Sequence, residues 1–368
     1  MRGDEEDIIE NQYKLTMEKV ELDISRVSLL NGNFHQEKNT ITKVRKLKMD
    51  AKTFWKNFSL GKELNVAGCF IFNGLKAFDS LENFKQEDEI FEFLYNTSVG
   101  IERLLKVVVI LIEHNDVINQ EEFEKSLITH NHLELLRRIS KKHNCGLNNL
   151  HNEFLELLSI FYKTMRYDRY NLNSIEYHDK ERVSLVTFLE KHLKTKIDYK
   201  EMLVTPNEWR FKKFIGKVVG KISEVLYDLV ESEASAQNIY TYELPYESKA
   251  SIIFLSKKYN FFNDDIVWKE LIIYLINTND RSGFFDFIRE IEPLNFEPAL
   301  VNEYLNVFKS DLKKHSYIDE VGEYYQDIDD KSERIDKLKL LSNPNVHFNY
   351  DEDDFEEDNE HDYQGEEN

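Results

Sequence analysis

The chain has 368 residues, 41% of them hydrophobic and 32% charged, enough for one large or two ordinary folded domains beneath a well-solvated surface. Its net charge is −21, but eleven acids fall between Asp351 and Asn368 without a Lys or Arg, so the rest carries −10 and does not draw nucleic acid from a distance. Two cysteines, Cys69 and Cys145, exclude a disulfide framework, and the longest aliphatic run, Val107 to Ile112, is too short to cross a bilayer.

The acidic N-terminus MRGDEEDIIENQ lacks an apolar core and does not read as a signal peptide, so a reducing, cytoplasmic setting is expected. YKLTMEKVELDIS alternates weakly and fits either a strand or a helix; residues 1–85 are assigned as an N-terminal region without further detail. KVRKLK, Lys43 to Lys48, reads either as a solvated basic run or as a nucleic-acid-facing one. All five prolines lie beyond residue 205, which predicts long helices joined by Asn- and Gly-containing turns before that point.

GIERLLKVVVILIEHND is apolar on most faces and predicts a central, nearly encircled helix. SLITHNHLELLRRISKK places Leu133, Leu136 and Ile139 on one side of the next helix, and HNCGLNN reads as a turn. LHNEFLELLSIFYKTM carries an apolar stripe through Phe154, Leu157, Leu158, Phe161 and Met165, and RVSLVTFLEKHLK predicts another helix. In TPNEWRF, Thr205 suits an N-cap, Pro206 the first helical position and Glu208 a capping box. The helix that follows is marked by apolar residues from Phe211 to Leu229 and ends near ESEASAQ. GKVVGK lies inside it and is not a phosphate loop. NIYTYELPYES is the best extended segment, followed by helices at DDIVWKELIIYLIN, SGFFDFIREI and PALVNEYLNVFKSDLKK.

Three groups of residues carry candidate chemistry. Arg166 and Arg169, interleaved with Tyr167 and Tyr170, share a helix face with Tyr170; they suit a phosphate grip or an arginine pair tying down a helix end. Arg137, Arg138, Lys141, Lys142 and His143 form the most basic short run of this region, either a solvated helix C-terminus or a nucleic-acid-facing patch. His130 and His132 fall on different faces of a helix, which argues against a shared metal and for partly buried, satisfied histidines. No metal, phosphate-loop or nucleophile-elbow motif appears, so no cofactor is expected. The acidic tail, residues 346–368, reads as a solvated end or as a mask for a basic surface.

In order and spacing, FLYNTSVGIERLLKVVVILIEH with Glu102, THNHLELLRRI with His130 or His132, and YKTMRYDRYNL resemble the helices of the HEPN superfamily. NIYTYELPYESKASIIF is similar to segments that follow such bundles in uncharacterised bacterial proteins. The resemblance spans about residues 90–194. It implies a mostly α protein: a HEPN-like antiparallel bundle at 86–198, a second helical region at 199–345 and a minor extended segment. It further implies a bacterial defence or toxin-type role, a homodimer, RNA as target, and metal-free cleavage through an R-x(4–6)-H motif. Arg138 and Arg137 stand at that spacing from His143, with four and five residues between. Beyond RYDRY the next histidine is His178, outside the motif gap, with eight residues between it and Arg169. Arg138, His143, Arg166, Arg169 and His178 are therefore the catalytic candidates, and Arg137, Lys141, Lys142 and Tyr170 the RNA-binding ones. The alternative is a non-catalytic helical interaction module, such as a scaffold, sensor or antitoxin-like partner of a defence system.

Overall fold

In the computed structural model the described residues are 50–115, 117–168, 170, 172, 179–200, 203–279, 283–307, 322, 323, 325, 328, 330–341 and 346. YKLTMEKVELDIS, KVRKLK, Arg169, His178, the residues of PALVNEYLNVFKSDLKK after Val307, and the acidic run from Asp351 lie outside them. The described chain is mostly helical and has no β-strand; one isolated bridge pairs Asn83 with Pro206. It divides into two units, the first ending at Ile266.

The first unit begins with α1 (Ala51–Phe54), capped by Asp50, and passes through a π-helical turn (Trp55–Ser59) into α2 (Leu60–Ser80). α3 (Glu87–Glu113) is the axis of the unit. Every residue from Val107 to Ile112 is buried, so this β-branched run is the helix segment surrounded by its neighbours, as its apolar faces predict. α2 and α3 approach closely. A Cβ at Gly100 would stand 2.7 Å from Ile71 Cγ1 and 2.8 Å from Ile71 N, and one at Gly74 would overlap Thr97 Oγ1. Two glycines on facing helices thus fix the roll of α3.

α4 (Gln120–Ser126) and α5 (His132–Ser140) follow, capped by Asn119 and Asn131. α6 (Asn149–Ile160) opens with a capping box between Asn148 and His151 and runs through a second π-helical turn (Phe161–Met165) into α7 (Arg166–Asp168). α8 (Lys180–Leu193) and α9 (Trp209–Ala236) match the helices expected from their apolar spacing. α10 (Lys249–Phe254) packs on α2, where a Cβ at Gly68 would lie 2.5 Å from the Ala250 Cβ. One hydrophobic core runs from Leu60 to Phe261 and includes Phe211, Ile215, Val219 and Leu226 of α9. No division therefore falls at 198/199, where the sequence placed one: α9 completes the core around α3.

Two local expectations are corrected. α9 starts at Trp209, not at Pro206, and Thr205 is not its cap. Thr205 Oγ1 instead accepts from the Asp198 N–H at 2.8 Å, Pro206 bridges to Asn83, and the Asn207 amide donates to the Phe78 and Leu81 carbonyls at 2.8 and 3.2 Å. The segment that looked like a helix start is used to satisfy the orphan carbonyls at the end of α2. NIYTYELPYES is likewise turns and coil, not a strand. Its Thr241 hydroxyl donates to the Lys56 carbonyl at 2.7 Å and the Tyr240 N–H to Asn57 Oδ1 at 2.8 Å, so it covers the first π-helical turn and pairs with no extended neighbour.

α11 (Phe262–Asn277) crosses the division between units. In the second unit, α12 (Gly283–Arg289), a 3-10 turn (Pro298–Leu300), α13 (Val301–Val307) and α14 (Lys331–Leu341) follow. Arg289 donates to the Thr278 carbonyl at 3.3 Å, Arg334 to that of Glu292 at 2.7 Å, and the Phe296 and Tyr304 rings lie 5.2 Å apart. No helix among the described residues is long and apolar enough to cross a membrane.

Candidate functional site

Phe91, Tyr95, Ser98, Glu102 and Lys106 recur at helical spacing along one face of α3. Gly100, turned toward α2, holds that face against the chain entering α5 and the end of α6. The middle of the face is buried. His132, fully inaccessible, touches the Ser98 carbonyl with Nε2 at 2.9 Å and the Ser159 hydroxyl with Nδ1 at 3.1 Å. Its own N–H donates to the same hydroxyl at 3.0 Å, and Ser159 donates onward to the Leu155 carbonyl at 2.8 Å. Burial holds the His132 pKa below the ordinary histidine value, so the ring is neutral. With the ring neutral and Nε2 against a carbonyl, Nε2 carries the hydrogen, and the bare Nδ1 shares the single Ser159 hydroxyl hydrogen with the Leu155 carbonyl. His132 is thus a knot between α3, α5 and α6, and it fixes the position of the residue two before it.

That residue, His130, is different. Its side chain is 45% exposed, and Nδ1 lies 3.0 Å from Oε2 of the buried Glu102. Lys106 binds the other carboxylate oxygen at 2.7 Å. A carboxylate on Nδ1 places the hydrogen there and leaves Nε2 as an outward-facing base, with no hydrogen bond among the described residues. The imidazole also leans on the Tyr162 ring at 4.8 Å between centroids.

Tyr162 leads to Arg166. The Arg166 guanidinium sits 3.9 Å from the Tyr162 ring centroid and 4.3 Å from that of Tyr167. Nε donates to the Tyr162 carbonyl at 2.7 Å and Nη2 to the Tyr167 hydroxyl at 2.6 Å. The second π-helical turn lies just before this pair of contacts. Its backbone closes over five residues, from the Arg166 N–H to the Phe161 carbonyl, and Tyr162 and Tyr167, five apart, both reach Arg166. Nη1 has no partner among the described residues, and no described carboxylate pairs with this arginine. A tightly oriented imidazole and a fixed cation with a spare donor therefore both lie against one tyrosine ring. The Tyr162 hydroxyl is itself held above its usual pKa by burial and remains protonated.

The other expected residues are placed elsewhere. Arg138 grips Glu113 at the end of α3 with two hydrogen bonds, Nε–Oε1 at 3.1 Å and Nη2–Oε2 at 2.6 Å. It also donates to the Ser126 carbonyl at 3.1 Å and lies 5.9 Å from the Phe123 centroid. His143 instead meets Glu233 of α9 at 3.0 Å. The R-x(4)-H spacing is present, but each member is held by its own carboxylate on a different helix, because Arg138 belongs to the helix and His143 to the loop after it. Arg137 is exposed. Lys142 reaches back to the Ile112 carbonyl at 2.6 Å. Lys141, Lys142 and His143 line a shallow open depression with Ser140, Asn144 and Cys145. Tyr170 sits in a turn, 88% exposed, its N–H donating to the Tyr167 carbonyl at 3.1 Å.

Sequence reading singled out Arg166 and noted Glu102 and His130, but it missed Lys106, Tyr162 and the pairing of Glu102 with His130. The signal was the helical spacing of Tyr95, Glu102 and Lys106, hidden among the apolar residues of α3. No group of three or more His, Cys, Asp or Glu suited to a metal occurs among the described residues. No protein-family model matches the chain, and no curated protein or solved structure does so either.

Proposed function

We propose that this is a HEPN-like helical protein of bacterial defence or toxin type, a cytoplasmic homodimer that cleaves RNA without a metal. The reading rests on the site built from Glu102, His130, Tyr162 and Arg166, not on the Arg138–His143 spacing. One observation carries it: a partly exposed histidine oriented by a buried carboxylate, sharing a tyrosine with an arginine whose Nη1 has no partner among the described residues. His130 and Glu102 lie in the stretches that bear the HEPN resemblance, and Arg166 lies in its RY ending.

The chemistry follows from these groups. Neutral His130 Nε2 takes the proton of an RNA 2′-hydroxyl as that oxygen bonds to the adjacent phosphorus. The bond to the 5′-oxygen breaks, and the leaving oxygen takes up a proton from an imidazolium, supplied by the same site or by its twin in the dimer. Glu102 steadies the positive charge on His130, and Lys106 is ion-paired with the other Glu102 oxygen. Arg166 stabilises the charge gathering on the phosphate oxygens.

A second reading, a non-catalytic interaction module working with a protein partner of a defence system, is favoured by the commitment of Arg138 and His143 to Glu113 and Glu233. Both readings are tested by incubating the purified chain with single-stranded RNA in excess chelator. Cleavage that falls at least about 100-fold in His130→Gln and in Arg166→Ala, with unchanged far-UV circular dichroism, supports the ribonuclease. A folded wild type that cleaves nothing, alone or with a partner, establishes the interaction module.

A further inference from the structure

Two exposed tyrosines follow Arg166 in the chain, and the cleavage chemistry uses neither. Tyr167 meets the guanidinium on one side and is 54% exposed. Tyr170, 88% exposed, is tethered to it through the Tyr167 carbonyl. Phenol rings on a surface this open lose the apolar contact that their size would give in a core, and the same short stretch buries neither. The cation makes the pair more than an apolar patch. It stands where a phosphate would be held, with the Tyr167 ring centroid 4.3 Å from the guanidinium and Tyr170 hydrogen-bonded through its backbone to the same residue.

We propose that Tyr167 and Tyr170 are specificity-determining residues: a stacking platform for the nucleobases flanking the phosphate held by Arg166, selecting unpaired RNA with a purine at that position. This rests on the proposed RNA-cleaving reading and adds the recognition element to the same site. A base inside a duplex has both faces covered by its neighbours and is not available to a tyrosine, whereas an unpaired base offers one. Purines stack over a larger area than pyrimidines, which sets the direction of the preference. The arginine contact also fixes the Tyr167 ring before RNA arrives, so little side-chain freedom is lost on binding.

The test measures binding apart from cleavage. Short 2′-O-methyl RNA, which lacks the attacking hydroxyl, is titrated by fluorescence anisotropy as oligoadenylate, as oligouridylate and as oligoadenylate with an abasic site moved along it. Wild type is expected to prefer adenylate and to lose about tenfold or more in affinity at one or two abasic positions. Tyr167→Leu and Tyr170→Leu should weaken the intact oligomer by a similar factor and bind the abasic one like wild type. Tyr167→Phe and Tyr170→Phe should retain affinity, and duplex RNA should not compete. The proposal is overturned if the leucine variants bind as wild type does, if an abasic site is tolerated at every position, or if wild type binds none of these oligomers. Wild type that shows this base dependence yet does not cleave the unmodified RNA leaves the platform standing and removes the nuclease reading.

Discussion

Replacing Arg138 by Met separates the two arginines that the sequence alone makes equivalent. Arg138 is 16% exposed and its partner Glu113 26%, which puts the pair between a solvated ion pair, worth at most about 1 kcal/mol, and a fully buried one, whose breakage costs about 3–5 kcal/mol. Methionine keeps much of the stem that packs near Phe123. It removes two charge-assisted bonds to Glu113 and the donor to the Ser126 carbonyl, leaving a half-covered carboxylate without its cation. A loss of about 2–3 kcal/mol follows, or roughly 5–10 °C in Tm for a unit of this size. Urea unfolding followed by circular dichroism measures it. Glu113→Gln should lose less, because the amide oxygen still accepts, and the double variant should show a coupling of about 1–2 kcal/mol. RNA cleavage at a temperature where both proteins are folded should be unchanged. An Arg138→Met protein as stable as wild type within about 0.5 kcal/mol, but dead in cleavage, would refute the assignment of Arg138 as a tie between helices and return it to the phosphate.

Acid should weaken the fold through His132. Its folded pKa lies below 6.5, so as pH falls beneath 6.5 the unfolded chain takes up a proton that the native one refuses; the stabilisation present at neutral pH is then lost at up to about 1.4 kcal/mol per pH unit. Urea midpoints at pH 7.5 and pH 5.5 should differ in this direction, and less so in His132→Asn. Asp79 acts oppositely: burial raises its folded pKa above 3.8, so its contribution is lost as pH rises through that window. Asp79→Asn should flatten stability as pH rises above 3.8 without touching the histidine limb. Gly216→Ala should destabilise by about 1–3 kcal/mol despite the better helix propensity of alanine, because its Cβ would overlap the Tyr259 carbonyl oxygen, a backbone atom. Asn207→Ala should lose about 1–3 kcal/mol in the same unfolding assay by orphaning two buried carbonyls at the end of α2, an effect that a mere loop residue would not show.

Helix spans were legible wherever an apolar stripe ran for several turns. α3, α6, α8 and α9 follow from Ile101 to Ile112, Phe154 to Met165, Leu185 to Leu189 and Phe211 to Leu229, because a 3.6-residue repeat expresses which face must leave water. Where helices begin was less legible. Thr205, Pro206 and Glu208 have the composition of a cap, but Thr205 is taken by Asp198, Pro206 by Asn83, and Asn207 among them by the end of α2, over a hundred residues earlier in the chain. NIYTYELPYES has the Tyr-rich composition of a strand, yet the groups it meets are side-chain and carbonyl oxygens of a π-helical turn and not another strand.

The candidate site divides in the same way. Residue types and local spacing were enough to mark Arg166 beside Tyr167 and a histidine before the LELL helix. Which cation is bound to carboxylate depends on who stands opposite. Glu113 faces Arg138, Glu233 faces His143, and Glu102 faces His130 across 28 positions of chain. Sequence thus determined the helices, since periodicity is a property of neighbours along the chain. Only the tertiary structure decided the chemistry, since a charge is neutralised or left available by groups that packing brings from far away.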